Sequence, residues 1–511
     1  MTSMNFTELL GEGTGRTTPN AYNSAWVARV PSATDVNQPA WPQALAFLRR
    51  NQLKDGGWGE CYSYYAHERT ISTLAALLAL LEWGESPASQ RIQRGVAALY
   101  QYATDLPTEP HEPIGFELLL PRIGVAVESF DIDLPRWPGV ERMAKQKAAL
   151  IGQLVPDYDA PRSWWFNMEM MLPYQLENLD QRILTPHGSI AISPAATAAY
   201  LRALRLKGKD SPRAAAFLNR VLAFSGGGAG VCYPIEGFEV IWTLDNYRRA
   251  GVEPNRSALA PLIRWLADYW ESSDNGVSHS RVFPVPDGDD TAVAYKVLCW
   301  AGQNPSDKPL MRFWNEERHH FLTYLDERTP SVSAAVHALS AFRHDETNPV
   351  HREIAADLTS WLGEQMEEAG ALYDKWHWSP LYATTRVVPP LVGWDDDLAR
   401  QCMAFVLEEQ REDGGWGNSE RSNLEETSMA ILSLVAANRG GLLESDRPLR
   451  RAAAYMKEQA SAEPTEQLWI GKALYRPIGV VDSLLSAARA ALEIEGLDHG
   501  RPQHSLRSTS R

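Results

Sequence analysis

The sequence predicts an all-α fold made of two (α/α) barrels, and three observations point there. The phrase Gln52-Leu-Lys-Asp-Gly-Gly-Trp58-Gly returns as Gln410-Arg-Glu-Asp-Gly-Gly-Trp416-Gly, and an internal repeat of this kind marks repeated helical units. Small residues at helical spacing follow turns in Ser193-Pro-Ala-Ala-Thr-Ala-Ala-Tyr200-Leu, Thr291-Ala-Val-Ala-Tyr295 and Ser331-Val-Ser-Ala-Ala-Val-His337-Ala-Leu339, which lets helices approach closely in a ring. Long alternating apolar and polar runs, the mark of half-buried strands, are scarce. At 511 residues the chain exceeds one ordinary core and suits two domains.

Taken in order, Tyr22-Asn23-Ser24-Ala25-Trp26-Val27-Ala28 leads to a helix predicted over Pro42 to Arg50, with Pro42 at a favourable first position. After the first Gly-Gly-Trp phrase comes Thr70-Ile-Ser-Thr-Leu-Ala, matched after the second by Thr427-Ser-Met-Ala-Ile-Leu. A Pro-rich zone, Thr104 to Ile114, breaks the helical pattern before Gly115-Phe-Glu. A Gly-rich zone, Phe224 to Gly230, is the expected boundary between barrels. Charged residues beside aromatics recur in Leu172-Pro-Tyr174-Gln-Leu-Glu177-Asn-Leu-Asp180 and around Trp242, a pattern that suits a cavity wall and amphipathic helices alike.

Composition narrows the function. A formal net charge of -15 argues against nucleic acid or an anionic membrane surface as partner, and a polyanionic substrate would need a local basic pocket. The 18 Trp residues suggest repeated packing elements or an aromatic-lined cavity. Four scattered cysteines, Cys61, Cys232, Cys299 and Cys402, make neither a disulfide framework nor a zinc site. The N-terminus lacks a basic segment followed by an apolar one, and the most apolar run, Ile71 to Leu81, is too short to span a bilayer. A soluble, cytoplasmic protein without a transmembrane segment is expected.

The costliest stretch is Pro286-Asp287-Gly288-Asp289-Asp290-Thr291-Ala292. Three carboxyl groups this close cannot all ionise in a dry site, so one is expected to hold its proton near neutrality and serve as a Brønsted acid. The same residues also suit a solvated helix start, where Asp is favoured as cap and dipole partner.

Taken together, these phrases resemble the class II terpene cyclases, in particular the two-domain bacterial diterpene cyclases that make copalyl-type diphosphates. Tyr22-Asn-Ser-Ala-Trp-Val-Ala looks like the family's YDTAWVA, Gly115-Phe-Glu like GFE and Ser193-Pro-Ala-Ala-Thr-Ala like SPSATA. Phe238-Glu-Val-Ile-Trp242 resembles FExxW, Pro286 to Ala292 resembles PDxDDTA, and Trp469-Ile-Gly-Lys-Ala-Leu-Tyr-Arg476 resembles WIGKTLYR. The resemblance implies a βγ arrangement, with residues 1–18 giving the first helix of the β barrel, 19–222 an inserted γ barrel, and 223–511 the rest of the β barrel.

It also implies a reaction: protonation of a linear isoprenoid diphosphate, ring closure through a cation, and deprotonation with the diphosphate retained. Geranylgeranyl diphosphate is the expected substrate, giving a bicyclic copalyl, labdane or clerodane skeleton. Farnesyl diphosphate giving a drimane skeleton is the alternative, and a non-catalytic binding toroid the alternative of another class. By this likeness Asp289 is the general acid, supported by Asp287 and Asp290, which fits the need for a strong acid in a water-free pocket. Trp242, Trp376, Trp378 and Tyr382 are expected to face the cation, whose charge an aromatic face stabilises. Glu177 and Asp180, a thinned acidic motif, are expected to hold Mg²⁺, and Lys472 and Arg476 to contact the diphosphate. Tyr174 and Val231 stand where plant enzymes carry the His and Asn of deprotonation, so Tyr174 is expected to shape the cavity while another group takes the proton. The resemblance further implies a downstream class I terpene synthase as partner and a homodimer. The run Asp395-Asp-Asp-Leu-Ala399 lacks the last acid of an ionising DDxxD motif, which sets aside a bifunctional enzyme. No Asp/Cys/His set for a zinc prenyltransferase is found, and the triterpene-type cyclase is disfavoured by the scarcity of further Gln-Trp phrases.

Overall fold

The computed structural model describes residues 8–497 apart from 12, 109, 110, 326 and 328. The C-terminal half closes an inner ring of six helices: Glu236–Ala250, Gly288–Trp300, Val332–Phe342, Leu381–Leu391, Leu424–Arg439 and Ile478–Ile494. Each packs on the next and the last packs on the first. The outer helices Ala260–Glu271, Pro349–Ala369, Asp396–Glu408 and Arg447–Glu458 lie against this ring. Sequence decides which layer a helix joins. Leu424–Arg439 is buried almost all round, whereas Arg447–Glu458 buries only Leu449, Ala452, Tyr455 and Met456, the single stripe of a helix with one face in water.

The N-terminal half closes a smaller ring from Ala21–Ala28, Ala66–Glu82, Phe116–Glu128, the 3-10 segment Ser163–Met170 and Pro194–Arg205. The expected helix over Pro42 to Arg50 is present with those bounds. Recurrent small-residue phrases begin inner helices because the polar residue ahead of each caps the first turn. Ser193, Ser331 and Asn423 accept from the backbone N–H groups of Ala196, Ala334 and Glu426, which satisfies donors a helix start leaves open.

The internal repeat is physical. Trp58 and Trp416 are fully buried, and their indole N–H groups donate to the carbonyls of Leu48 at 2.7 Å and Val406 at 2.6 Å. Gln52 and Gln410 each tie down their own phrase through Gly56 and Gly414. One expectation is corrected here: the backbone N–H of Trp58 donates to Thr73, as that of Trp416 does to Thr427, so Thr73 rather than Thr70 is the counterpart of Thr427.

Buried apolar side chains form two main cores. One draws on residues from Ala21 to Leu222 with Ala229, Tyr233 and Ala473, the other on Val231 to Leu492 with Leu9 and Ile192. Of the helix expected within 1–18, residues 1–7 and 12 lie outside the described residues; the rest holds a 3-10 turn, Glu8–Leu10, whose Leu9 joins the C-terminal core, followed by irregular chain. Among the links between the halves are two short strand features. Pro19–Asn20 pairs antiparallel with Ala229–Gly230, and the hairpin of Trp469–Ile470 and Leu474–Tyr475 puts Ala473 in one core and Trp469 and Tyr475 in the other. Among the described residues, no helix is long and apolar enough to cross a membrane.

Candidate active site

Asp287 caps the helix Gly288–Trp300, its carboxylate accepting from the backbone N–H of Asp290 at 2.7 Å. The turn is fixed from both sides, since the N–H of Asp287 donates to the Val277 carbonyl and that of Gly288 to the Thr323 carbonyl. A side chain at Gly288 would run into the Leu322 carbonyl and the ring of Phe321, so glycine between the first two acids lets the chain pass there. The helix start that could have been solvated is thus largely inside the protein: Asp287 and Asp290 are fully buried and Asp289 is nearly so.

Two histidines, neither singled out as functional from the sequence, complete the acidic cluster. His279 Nδ1 lies 3.2 Å from Asp287 and 3.0 Å from Asp290. Burial opposes charge on His279, but the two carboxylates outweigh it and hold the imidazole well above its usual range. Burial, then the Asp290 charge, push the Asp287 carboxyl up, as expected for like charges sharing a dry site. Asp289 has a different partner, His337, whose Nδ1 is 2.5 Å from its Oδ1. The other nitrogen of His337 lies 3.4 Å from the Arg386 guanidinium, which can only donate. Nε2 is therefore the acceptor and Nδ1 carries the proton, so His337 donates to Asp289. The second oxygen of Asp289 has no hydrogen-bond partner among the described residues.

This carboxyl opens on a cavity of about 370 Å³ between the halves. Asp287, Asp289 and His279 stand on its wall with Phe238, Tyr382, Trp469 and Tyr475 from the C-terminal half, and Trp164, Phe166 and Asn167 from the N-terminal half. Trp376 and Val231 also line it. Aromatic packing is tight: the Phe238 ring stacks on His279 at 5.1 Å and 8°, and Tyr382 stacks on His377 at 4.6 Å and 9°.

Several expected site residues lie elsewhere. Trp242 is fully buried behind the wall, edge-on to His337 at 5.4 Å, so it supports the acid's partner and does not face the cavity. Trp378 packs against the small cluster of Tyr65, Ile470 and Leu474. Tyr174 is 59% exposed and does not line the cavity; Asn167, with a buried and unpaired Oδ1, stands on the wall instead. Lys472 is sealed in an ion pair with Glu169 at 2.6 Å, with Ser193 Oγ at 2.7 Å and the Phe166 ring beneath it; desolvation pulls the lysine down, and it does not reach the cavity. Arg476 also lies off the wall, 3.9 Å from Asp482. No Lys or Arg lines the cavity among the described residues.

Glu177 and Asp180 do not fit a shared Mg²⁺. Glu177 faces Lys207 at 3.8 Å, while Asp180 accepts from the Arg182 backbone at 2.8 Å and lies 3.5 Å from that side chain. Among the described residues only His279, Asp287 and Asp290 bring three ligand atoms within 4.8 Å of one another.

The two-barrel helical fold is that of the class II terpene cyclases. The structure aligns with ent-copalyl diphosphate synthase from Streptomyces platensis at a TM-score of 0.77 and 24% identity, covering 95% of this chain and 98% of that one. In sequence the chain is 28% identical to the type B diterpene cyclase of Mycobacterium tuberculosis over 505 residues, 94% of this chain and 96% of that protein. It is 29% identical over 371 residues to the bifunctional levopimaradiene synthase of Pinus banksiana, spanning 71% of this chain but only 42% of that longer protein. Residues 319–466 match the squalene-hopene cyclase C-terminal domain. In fold over nearly its whole length, and in sequence at 28–29% identity, the chain is thus similar to diterpene cyclases.

Proposed function

We propose that the protein cyclises a linear isoprenoid diphosphate by protonation, with geranylgeranyl diphosphate as substrate and a bicyclic copalyl, labdane or clerodane diphosphate as product. The observation that carries this reading is the Asp289 carboxyl, held by His337 at one oxygen and open at the other, on the wall of an aromatic cavity. A carboxyl group protonating an alkene leaves a carboxylate and a carbocation. The His337 Nδ1–H stabilises the first, as a preplaced donor does for a developing anion. Phe238, Trp376, Tyr382 and Trp469 offer ring faces to the second. Asp287 and Asp290, neutralised through His279, keep a second net negative charge away from the acid.

The product keeps its diphosphate because the reaction begins at the far end of the chain and breaks no carbon–oxygen bond. Asn167, a polar side chain on the cavity wall, is the candidate to orient the water that takes the departing proton. The test is incubation with geranylgeranyl and farnesyl diphosphates, followed by dephosphorylation and mass spectrometry. A cyclised alcohol without pyrophosphate release supports the reading, and the better substrate fixes chain length. Asp289→Asn should remove more than about 99% of turnover from a folded protein, the scale expected when general acid catalysis worth roughly 10²–10⁴-fold is lost.

A further inference from the structure

Behind His337 the lumen of the C-terminal barrel holds a second, polar chamber. It is lined by Asp245, Arg248 and Arg249 near the end of one inner helix, Lys296 on the next, and Arg386 on a fourth. Four basic side chains thus meet one acid. Asp245 is already engaged, bonded to Arg248 at 2.7 Å and to Arg386 at 3.0 Å. Arg249 is left over: it is 7% exposed, and none of its three guanidinium nitrogens has a hydrogen-bond partner. The C-terminal ends of inner helices contribute partial negative charge here, yet no backbone carbonyl receives a bond from Arg249.

A buried, unbonded guanidinium is costly, and its neighbours make it worse. Burial, then Arg248, pull Lys296 down to about 7, and burial, then Arg386, lower Arg249 to about 9. The geometry gives the charge balance directly, with four basic side chains around one carboxylate. The chamber's free space is about 20 Å³, enough for about one water-sized occupant and too little for phosphate.

We propose that this chamber binds one small inorganic anion of halide size, held by Arg249 with Arg248, Arg386 and Lys296 around it. The site is distinct from the substrate cavity, and its lining residues Arg386 and His337 link it by hydrogen bonds to Asp289.

The test uses the full-length protein with chloride as probe. Protein freed of chloride is titrated with sodium chloride at constant ionic strength, with sodium gluconate as balance, and the thermal midpoint is followed. Crystals are soaked in sodium bromide and inspected for an anomalous peak. The expected result is a midpoint that rises by about 1–2 °C per tenfold increase in chloride above half-saturation, with a bromide peak beside Arg249. Arg249→Met, an apolar replacement of similar length, should abolish the chloride response and fold at least as well without chloride. A chloride response as large in Arg249→Met overturns the proposal. If that variant fails to fold, the bromide soak of the natural protein decides alone, and absence of a peak in the chamber overturns the proposal whatever the midpoints show.

Discussion

Replacing His337 by Phe isolates what the histidine gives to Asp289. The ring remains to pack edge-on against Trp242 and Tyr382, while the Nδ1–H donor at 2.5 Å disappears. His337 is 5% exposed, so water cannot take over the bond. Loss of a preplaced donor to a developing oxyanion costs about 2.7–4 kcal/mol, a fall of ~10²–10³ in kcat. Because the imidazole does not itself line the cavity, KM should stay within about threefold, the mark of an interaction made only in the transition state. The assay is initial-rate product formation under saturating substrate, read by mass spectrometry after dephosphorylation, with circular dichroism and a melting curve to show the fold is kept. A folded His337→Phe protein with kcat within threefold of the natural one would refute the assignment of His337 as the donor that stabilises the Asp289 carboxylate.

Two further outcomes follow from the same geometry. Tyr174→Ala should leave rate and main product unchanged because the phenol points to solvent, whereas Asn167→Leu should change the product ratio by removing the acceptor on the cavity wall; a product change confined to Tyr174→Ala would reverse that placement. Stability should fall as pH rises from about 5 to 7.5, in part because burial raises Glu239 to about 7 while its Oε2 accepts the N–H of Gly15. Between the ordinary carboxyl range and that value the folded state keeps a proton the unfolded chain releases, so raising the pH favours unfolding. Glu239→Gln removes this titration and should flatten the decline by up to about 3 kcal/mol, at 1.36 kcal/mol per unit of pKa, as read from urea midpoints across that range; an unchanged slope would remove Glu239 as a cause.

The acid turn was legible because its chemistry is local. Asp287, Asp289 and Asp290 sit within four residues, and a proline, a glycine and a capping position mark the turn that carries them. His337 was not legible, because ring closure brings it in from forty-eight residues downstream, inside a phrase that reads as small-residue helix packing; His279 lies only eight residues ahead of Asp287, but in a stretch with no motif to mark it. Repeats were visible through Gly-Gly-Trp, yet the counterpart of Thr427 was set three residues early, since the loop after Trp58 is longer than the one after Trp416. Charge type was a poor guide to exposure. Lys472 carries the right charge for a diphosphate, but Glu169 is no part of its local sequence, and only the folded interface shows that Glu169 claims the ammonium.

The hairpin Trp469–Tyr475 carries a consequence for how the molecule is made. Its backbone is bonded to both halves, Gly471 accepting from the Ile114 N–H at 2.9 Å and Ile470 donating to the Trp376 carbonyl at 2.8 Å. A side chain at Gly471 would sit 2.7 Å from Val231, so the strand connection lies flush against the seam. Trp469, Ile470, Gly471 and Tyr475 all form cavity wall. On a ribosome, the chamber cannot be closed until nearly the whole chain has emerged, although most of the N-terminal core is synthesised more than two hundred residues earlier. The acid and its aromatic surroundings thus stay open to solvent until the last inner helix, Ile478–Ile494, completes its ring.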